Sequence, residues 1–209
     1  MNIPIIYEDD WLLVVDKPSG LLTIPTPKNE SRTLTSILND DLKERGILYR
    51  VYPCHRLDRE TSGLIIYAKG KSVREKVVEL FRQRKVKKRY IAFVSGRLSK
   101  PKGTINHPID GLSALTTYEV INSAGDFSVV KIMPLTGRTN QIRIHFKQIG
   151  HPLLGETKYA FRRDFKIKAK RLCLHAELIE FIHPVTQKKL SITCDLPEEL
   201  QGFLLVRKV

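Results

Sequence analysis

Short apolar, β-rich runs that arrive in pairs limit what this chain of 209 residues can fold into. Thr116 to Ile121 and Phe127 to Met133 flank the turn-rich stretch Asn122-Ser123-Ala124-Gly125-Asp126. Leu178 to Ile182 and Leu190 to Cys194 flank Pro184-Val185-Thr186-Gln187 in the same way. Trp11 to Asp16, Leu64 to Ala68 and Tyr90 to Val94 read as further strands, and Lys17-Pro18-Ser19-Gly20 ends the first of them. Helical spacing is confined to a few segments. Ser31 to Arg45 has Gly46 past its end, and Thr139 to Ile149 has Gly150 as its stop. Lys71 to Arg84 places Val73, Val77, Leu80 and Phe81 on one face. Pro197-Glu198-Glu199 opens a last short helix. Strand pairs outnumber strand–helix–strand units. The expected fold is therefore α+β, a largely antiparallel mixed β-sheet core with flanking helices. No repeat, low-complexity tract or linker interrupts the pattern, so residues 1–209 are expected to form a single domain.

Composition matters through its charge. Lys and Arg number 36 against 22 Asp and Glu, a net of +14. Two windows hold that entire excess: Lys69 to Arg89 carries +8 and Lys158 to Arg171 carries +6. Charge concentrated in this way favours a phosphate-bearing partner over a merely soluble surface. The apolar runs are far shorter than the roughly 20 residues of a membrane span. The first ten residues lack the basic start and apolar stretch of a signal peptide. Cys54, Cys173 and Cys194 are odd in number and widely spaced, which disfavours both a disulfide framework and a zinc site. A reducing, cytoplasmic setting with no membrane contact is expected.

Several chemistries fail on spacing. Gly63 and Gly70-Lys71-Ser72 are separated by six residues, whereas a phosphate-binding loop needs four, and the intervening residues read as a strand. There is no Gly-x-Ser-x-Gly elbow and no His-Glu-x-x-His helix, and the six histidines are scattered. No metal site is expected.

The segment His55-Arg56-Leu57-Asp58-Arg59-Glu60-Thr61-Ser62-Gly63 stands directly before the Leu64 strand. Arginines two residues before and one after Asp58 would hold its carboxylate ionised, ready to act as nucleophile or base. The same spacing equally fits a turn in which Asp58 caps backbone amides and the arginines are solvated.

His-Arg-Leu-Asp-x-x-Thr-Ser-Gly resembles the signature of the RluA-type pseudouridine synthases, which isomerise uridine within rRNA or tRNA. Other stretches resemble the family's motifs in order: Asp16-Lys17-Pro18-Ser19-Gly20-Leu21, Lys87-Lys88-Arg89-Tyr90, and Thr136-Gly137-Arg138-Thr139-Asn140-Gln141-Ile142-Arg143-Ile144-His145. Leu172-Cys173-Leu174-His175-Ala176 and Phe181-Ile182-His183-Pro184 resemble its C-terminal pair. The likeness runs from about Ile5 to Leu196. It implies Asp58 as the catalytic aspartate, Tyr90 as the ring that stacks on the target uracil, and Arg143 as the cation paired with Asp58. It implies Arg56 as the side chain filling the gap left by the flipped base, and Leu174 as the wall opposite Tyr90. Arg138, Lys85, Lys87 and Lys88 are expected to contact RNA. The resemblance further implies one catalytic domain without the N-terminal RNA-binding module of many relatives, no cofactor, and RNA as the partner; the default expectation for the oligomeric state is a monomer.

The sequence departs from the family pattern twice. Position 140 is Asn where the third motif usually has His, and Asp110 to Thr116 is short. Two other functions compete: a catalytically inactive RNA-binding or folding module, resting on the basic windows alone, and a metal-dependent nuclease. The second is disfavoured because only Glu60 accompanies Asp58.

Overall fold

A computed structural model describes residues 2–27, 30 and 32–205, which form two compact units. Unit 1 comprises residues 1–87 and 178–194, and unit 2 comprises residues 88–177 and 195–209.

In unit 1, β1 (Ile5–Glu8) pairs with β2 (Leu12–Lys17), and β2 pairs with β4 (Ser62–Ala68), all antiparallel. The short β3 (Tyr52–Pro53) lies along the end of β4. β9 (Leu174–Ile182) begins in unit 2, and its residues 178–182 pair with β10 (Lys189–Thr193) in the expected hairpin. Two helices accompany these strands, α1 (Leu34–Glu44) and α2 (Lys71–Arg82). α2 packs on β3 and β4 through the face read from the sequence. Val77 is fully buried in a core with Leu12, Val14, Leu64, Ile66 and Phe181, and Val73, Leu80 and Phe81 cover it. Its other face carries Lys71, Arg74, Lys76 and Arg82 into solvent.

The helices end where backbone geometry makes them end. α1 is capped by Thr33, whose hydroxyl accepts the Ser36 N–H while the Ser36 hydroxyl accepts the Thr33 N–H. The predicted start at Ser31 lies outside the described residues. Gly46 closes α1 with a positive φ, as its position suggested. α2 stops two residues short of the expected Arg84. Arg84 itself takes the left-handed conformation (φ 56°) and bonds back to Phe81 while Lys85 bonds to Leu80, a closure normally left to glycine.

In unit 2, β5 (Lys87–Ser95) pairs from Tyr90 onward with β8 (Phe127–Pro134). β8 pairs with β7 (Thr116–Ala124), and β7 with β6 (Lys102–Ile105), again all antiparallel. The β7–β8 turn is tighter than expected. Asn122, Ser123 and Ala124 continue the ladder after a bulge and leave Gly125-Asp126 as the turn. Alternation divides the sheet's faces. Ile91 and Phe93 join Phe127 and Val129 on one side, against Leu154, Cys173, Leu200 of α4 (Glu198–Leu205) and the segment Phe165, Ile167, Ala169. On the other side, α3 (Gln141–Gln148) packs on β8, with Phe146 edge-on to Tyr118 at 5.6 Å.

The end of β2 fixes an irregular stretch of chain. Lys17 is 0% exposed, and its ammonium donates to the carbonyls of Pro18 (2.9 Å), Leu21 (2.7 Å) and Arg59 (3.0 Å). A buried ammonium is tolerated because carbonyl dipoles meet its N–H groups. Lys17→Met keeps the volume of the stem and strands the Pro18 and Leu21 carbonyls. It should lower the unfolding free energy by about 3 kcal/mol. The check is a urea titration, and an unchanged midpoint would remove Lys17 from this structural role.

Candidate active site

In unit 1, Asp58 sits half-buried on the loop between β3 and β4, and its neighbours are fixed from both sides. The Thr23 hydroxyl donates to the Leu57 carbonyl (3.1 Å) and accepts the Leu57 N–H (3.3 Å). Beyond Asp58, the Arg59 carbonyl accepts from Gly20 N–H (2.8 Å) and Lys17, and the Glu60 carbonyl accepts from the Ser19 hydroxyl (2.6 Å). The Thr61 N–H closes a turn onto the Asp58 carbonyl (3.2 Å). Gly20 holds a φ of 86°, which suits glycine at the corner where the two loops meet. The Asp16 to Leu21 motif therefore serves the Asp58 loop, a link that spacing did not reveal. His55 is structural: its Nε2 accepts the Ile66 N–H (3.0 Å) and its ring lies 4.7 Å from that of Phe81. Leu57 is buried, Arg56 and Arg59 are exposed, and Arg59 pairs with Glu30. Lys85 is exposed past the end of α2, and Lys87 reaches Glu180 at 3.4 Å.

In unit 2, Tyr90 is 9% exposed in β5, with Ile132 opposite on the face that α3 covers. Period-two alternation puts Lys88 on the same side, and its Nζ lies 3.9 Å from where a Cβ on Gly137 would stand. The preceding and following cations differ. Arg89 is bound to Glu177 at 2.6 Å and Lys87 to Glu180, whereas Lys88 meets no carboxylate among the described residues. Burial alone lowers its pKa from the usual lysine value. Arg138 donates its Nε–H to the Ser113 carbonyl (3.1 Å). The short stretch after Ile109 is a tight hairpin whose corner residues Asp110 and Gly111 both have positive φ. Leu174 is 2% exposed at the start of β9. Within unit 2, Tyr90, Lys88 and Arg143 thus share the α3 side of the sheet.

α3 starts at Gln141 rather than at Thr139 because Asn140 is left-handed (φ 54°). Gln141 locks the corner: its Oε1 accepts from the Thr136 hydroxyl (2.7 Å) and the Arg138 N–H (3.0 Å), and its Nε2 donates to the Thr116 hydroxyl (2.9 Å). Buried His145 lies between that hydroxyl and the His107 carbonyl, each at 2.9 Å, and burial lowers its pKa.

Arg143 is buried, and within unit 2 it meets a carboxylate that sequence reading missed. Its Nε and Nη2 donate to the two oxygens of Glu156, each at 2.7 Å, and both side chains are almost wholly enclosed (4% and 0% exposed). Its Nη1 donates to Asn140 Oδ1 at 3.0 Å. Burial pushes the Glu156 pKa up, but the Arg143 hydrogen bonds and charge and the backbone N–H groups of Lys158 and Tyr159 outweigh it, and the net shift is downward. The depressed value means that this contribution to stability is present above the ordinary carboxylate range and is lost as pH falls through the lowered one. Gly155 brings Glu156 into place. With φ 75° it runs against the Arg171 carbonyl, 1.9 Å from where a Cβ would be, so no other residue fits. An acid following the apolar Leu153-Leu154 pair was the one available signal.

A loop-borne aspartate and a caged buried arginine, with an aromatic on the arginine's side of the sheet, can be set against known proteins. A family model described as RNA pseudouridylate synthase matches residues 11–148. The dual-specificity RNA pseudouridine synthase RluA of Pasteurella multocida (strain Pm70) is 37% identical, over 91% of this chain and 92% of its own. The tRNA pseudouridine synthase C of Haemophilus ducreyi (strain 35000HP / ATCC 700724) is 33% identical, over 96% and 94%. Among solved structures, human RNA pseudouridylate synthase domain containing 4 superposes with a TM-score of 0.82 at 25% identity, covering 96% of this chain and 91% of that one. With matches spanning most of its length, this chain belongs to the RluA-type RNA pseudouridine synthases, enzymes that isomerise uridine to pseudouridine.

Proposed function

We propose that the chain modifies specific uridines in structured rRNA or tRNA, acting as a single catalytic domain and a monomer in the cytoplasm, with Asp58 as its catalytic carboxylate. The observation that carries this reading is the bracing of the Asp58 loop by four side-chain and backbone donors from residues 17–23. A turn that only capped amides would not require the backbone on both sides of Asp58 to be held so firmly.

The reaction breaks the bond between N1 of uracil and C1′ of ribose. The freed ring turns, C5 bonds to C1′, the C5 proton leaves and N1 takes up a proton in exchange. Atoms and electrons balance without an oxidant or a reductant, so the residues need supply position, charge and a route for the proton. The uridine must first leave its stack, at roughly a few kcal/mol. Arg56, exposed beside the Asp58 loop, is suited to fill the vacated space. Tyr90 offers an aromatic face worth about 1–3 kcal/mol in base stacking. Leu174 would supply an apolar wall that keeps water from the detached ring. Arg143 would keep Asp58 charged.

Phosphates would meet the two basic windows. In the second, Phe165, Ile167 and Ala169 point into the unit 2 core while Lys166, Lys168 and Lys170 alternate with them into solvent. Lys166 is held by Asp126, but Lys168 and Lys170 face no carboxylate among the described residues.

Two outcomes test this reading. RNA carrying tritium at uracil C5 should release it to water with the wild-type protein, and Asp58→Asn should cut the rate by about a thousandfold or more. Full turnover by that variant would end the proposal, and cellular effects that survive it would favour an inactive RNA-binding module. Separately, affinity for RNA should fall steeply with salt. Each effective lysine removed from Lys85, Lys87 and Lys88 should flatten the log–log slope by about 0.7–0.9, with Lys87 contributing least because Glu180 already engages it. A slope unchanged by all three substitutions would take these lysines out of RNA binding.

A further inference from the structure

We infer that Glu156 and Asn140 are positioning residues that aim the Arg143 guanidinium, and that Asn140 does so by bridging Arg143 to Tyr159. The inference rests on the reading that Arg143 serves the reaction.

The contacts form a closed ring. Glu156 Oε2 takes Arg143 Nε–H. Glu156 Oε1 takes Arg143 Nη2–H together with the backbone N–H groups of Thr157 (3.0 Å), Lys158 (2.8 Å) and Tyr159 (3.3 Å). The chain after Gly155 is thus wrapped around one carboxylate oxygen, as a backbone nest wraps an anion. That wrapping places the Tyr159 ring 5.4 Å from the Arg143 guanidinium carbon, and its hydroxyl accepts Asn140 Nδ2–H at 2.8 Å. Asn140 Oδ1 then accepts Arg143 Nη1–H and closes the ring.

Three of the five guanidinium N–H bonds are committed in this way. The other two, one on each terminal nitrogen, take their direction from those three. A buried ion pair is a poor way to gain stability, since apolar side chains of the same volume do as well. Apolar side chains cannot orient a charged fork, and orientation is what a reaction with a mobile base intermediate requires.

Asn is suited to the task at position 140. It must occupy a left-handed φ, which Asn tolerates, and it must present an acceptor to Arg143 and a donor to Tyr159 at once. A neutral histidine also has one donor and one acceptor nitrogen, but on a rigid ring it does not carry both on a single amide carbon.

Asn140→Gly tests this, because glycine keeps the positive φ and loses both side-chain bonds. Glu156→Gln is the second variant, and tritium release under single-turnover conditions is the readout. Each variant should lower the maximal single-turnover rate roughly ten- to a hundredfold with the half-saturating protein concentration within twofold, and Asn140→Gly should do so at an unchanged melting temperature. In an Arg143→Ala background, Asn140→Gly should add no further loss. If Arg143→Ala is impaired while both other variants turn over at the wild-type rate, or if the losses of Asn140→Gly and Arg143→Ala simply add, positioning by this ring is overturned and the role of Arg143 stands. If Arg143→Ala itself retains full turnover, the reading of Arg143 falls, and this inference with it.

Discussion

A charge withdrawn from water has to be met by dipoles or by an opposite charge, and both units place their motif residues by satisfying that requirement. In unit 1 the buried Lys17 ammonium is met by the carbonyls of Pro18, Leu21 and Arg59. Those carbonyls lie on two loops outside the β2–β4 ladder, and the cation works with the Ser19, Gly20 and Thr23 contacts to do what a ladder would otherwise do. In unit 2 the Arg143 guanidinium is met by a carboxylate that itself gathers three backbone N–H groups. In both places irregular backbone is fixed by a buried charge. The penalty for leaving that charge unmet, several kcal/mol, far exceeds the worth of any single neutral hydrogen bond.

What could be read in the sequence follows from which forces act locally. The α2 face, the β7–β8 and β9–β10 pairs and the glycine stops after α1 and α3 all follow from periodicity or from the conformational freedom of glycine. β1, β3 and β6 were not legible because they are short and lean on a partner. Ile5 and Ile6 in β1 are largely exposed, so no buried alternation marks them. The early start expected for α3 failed because Asn140 is left-handed, a conformation that Asn adopts more readily than most residues but that hydrophobic periodicity does not signal.

The candidate site divides along the same line. Asp58, Tyr90 and Arg143 stood out because each lies in a long motif. Glu156 and Lys17 did not stand out as functional supports, although Lys17 lay inside a motif, because their work is done through carbonyls and amides, which have no residue identity. Sequence marks candidate side chains more readily than it shows what holds them still.

The distribution of charge shows why the basic windows and the buried residues are separable. In the strand that carries Tyr90, Arg89 and Lys87 are answered by Glu177 and Glu180, whereas Lys88, on the Tyr90 face, is not answered by a carboxylate among the described residues. On the segment from Phe165 to Lys170, alternate apolar side chains are spent on the unit 2 core, which leaves the intervening lysines outward whatever the chain binds. These lysines act through a screened field that falls away over about 8–10 Å at ordinary salt. The Arg143–Glu156 pair is enclosed, nearly neutral as a unit and little screened, so it adds almost nothing to that field. Ionic strength therefore screens the field of the surface lysines, while the geometry around Arg143 is governed by packing and hydrogen bonds that salt does not reach.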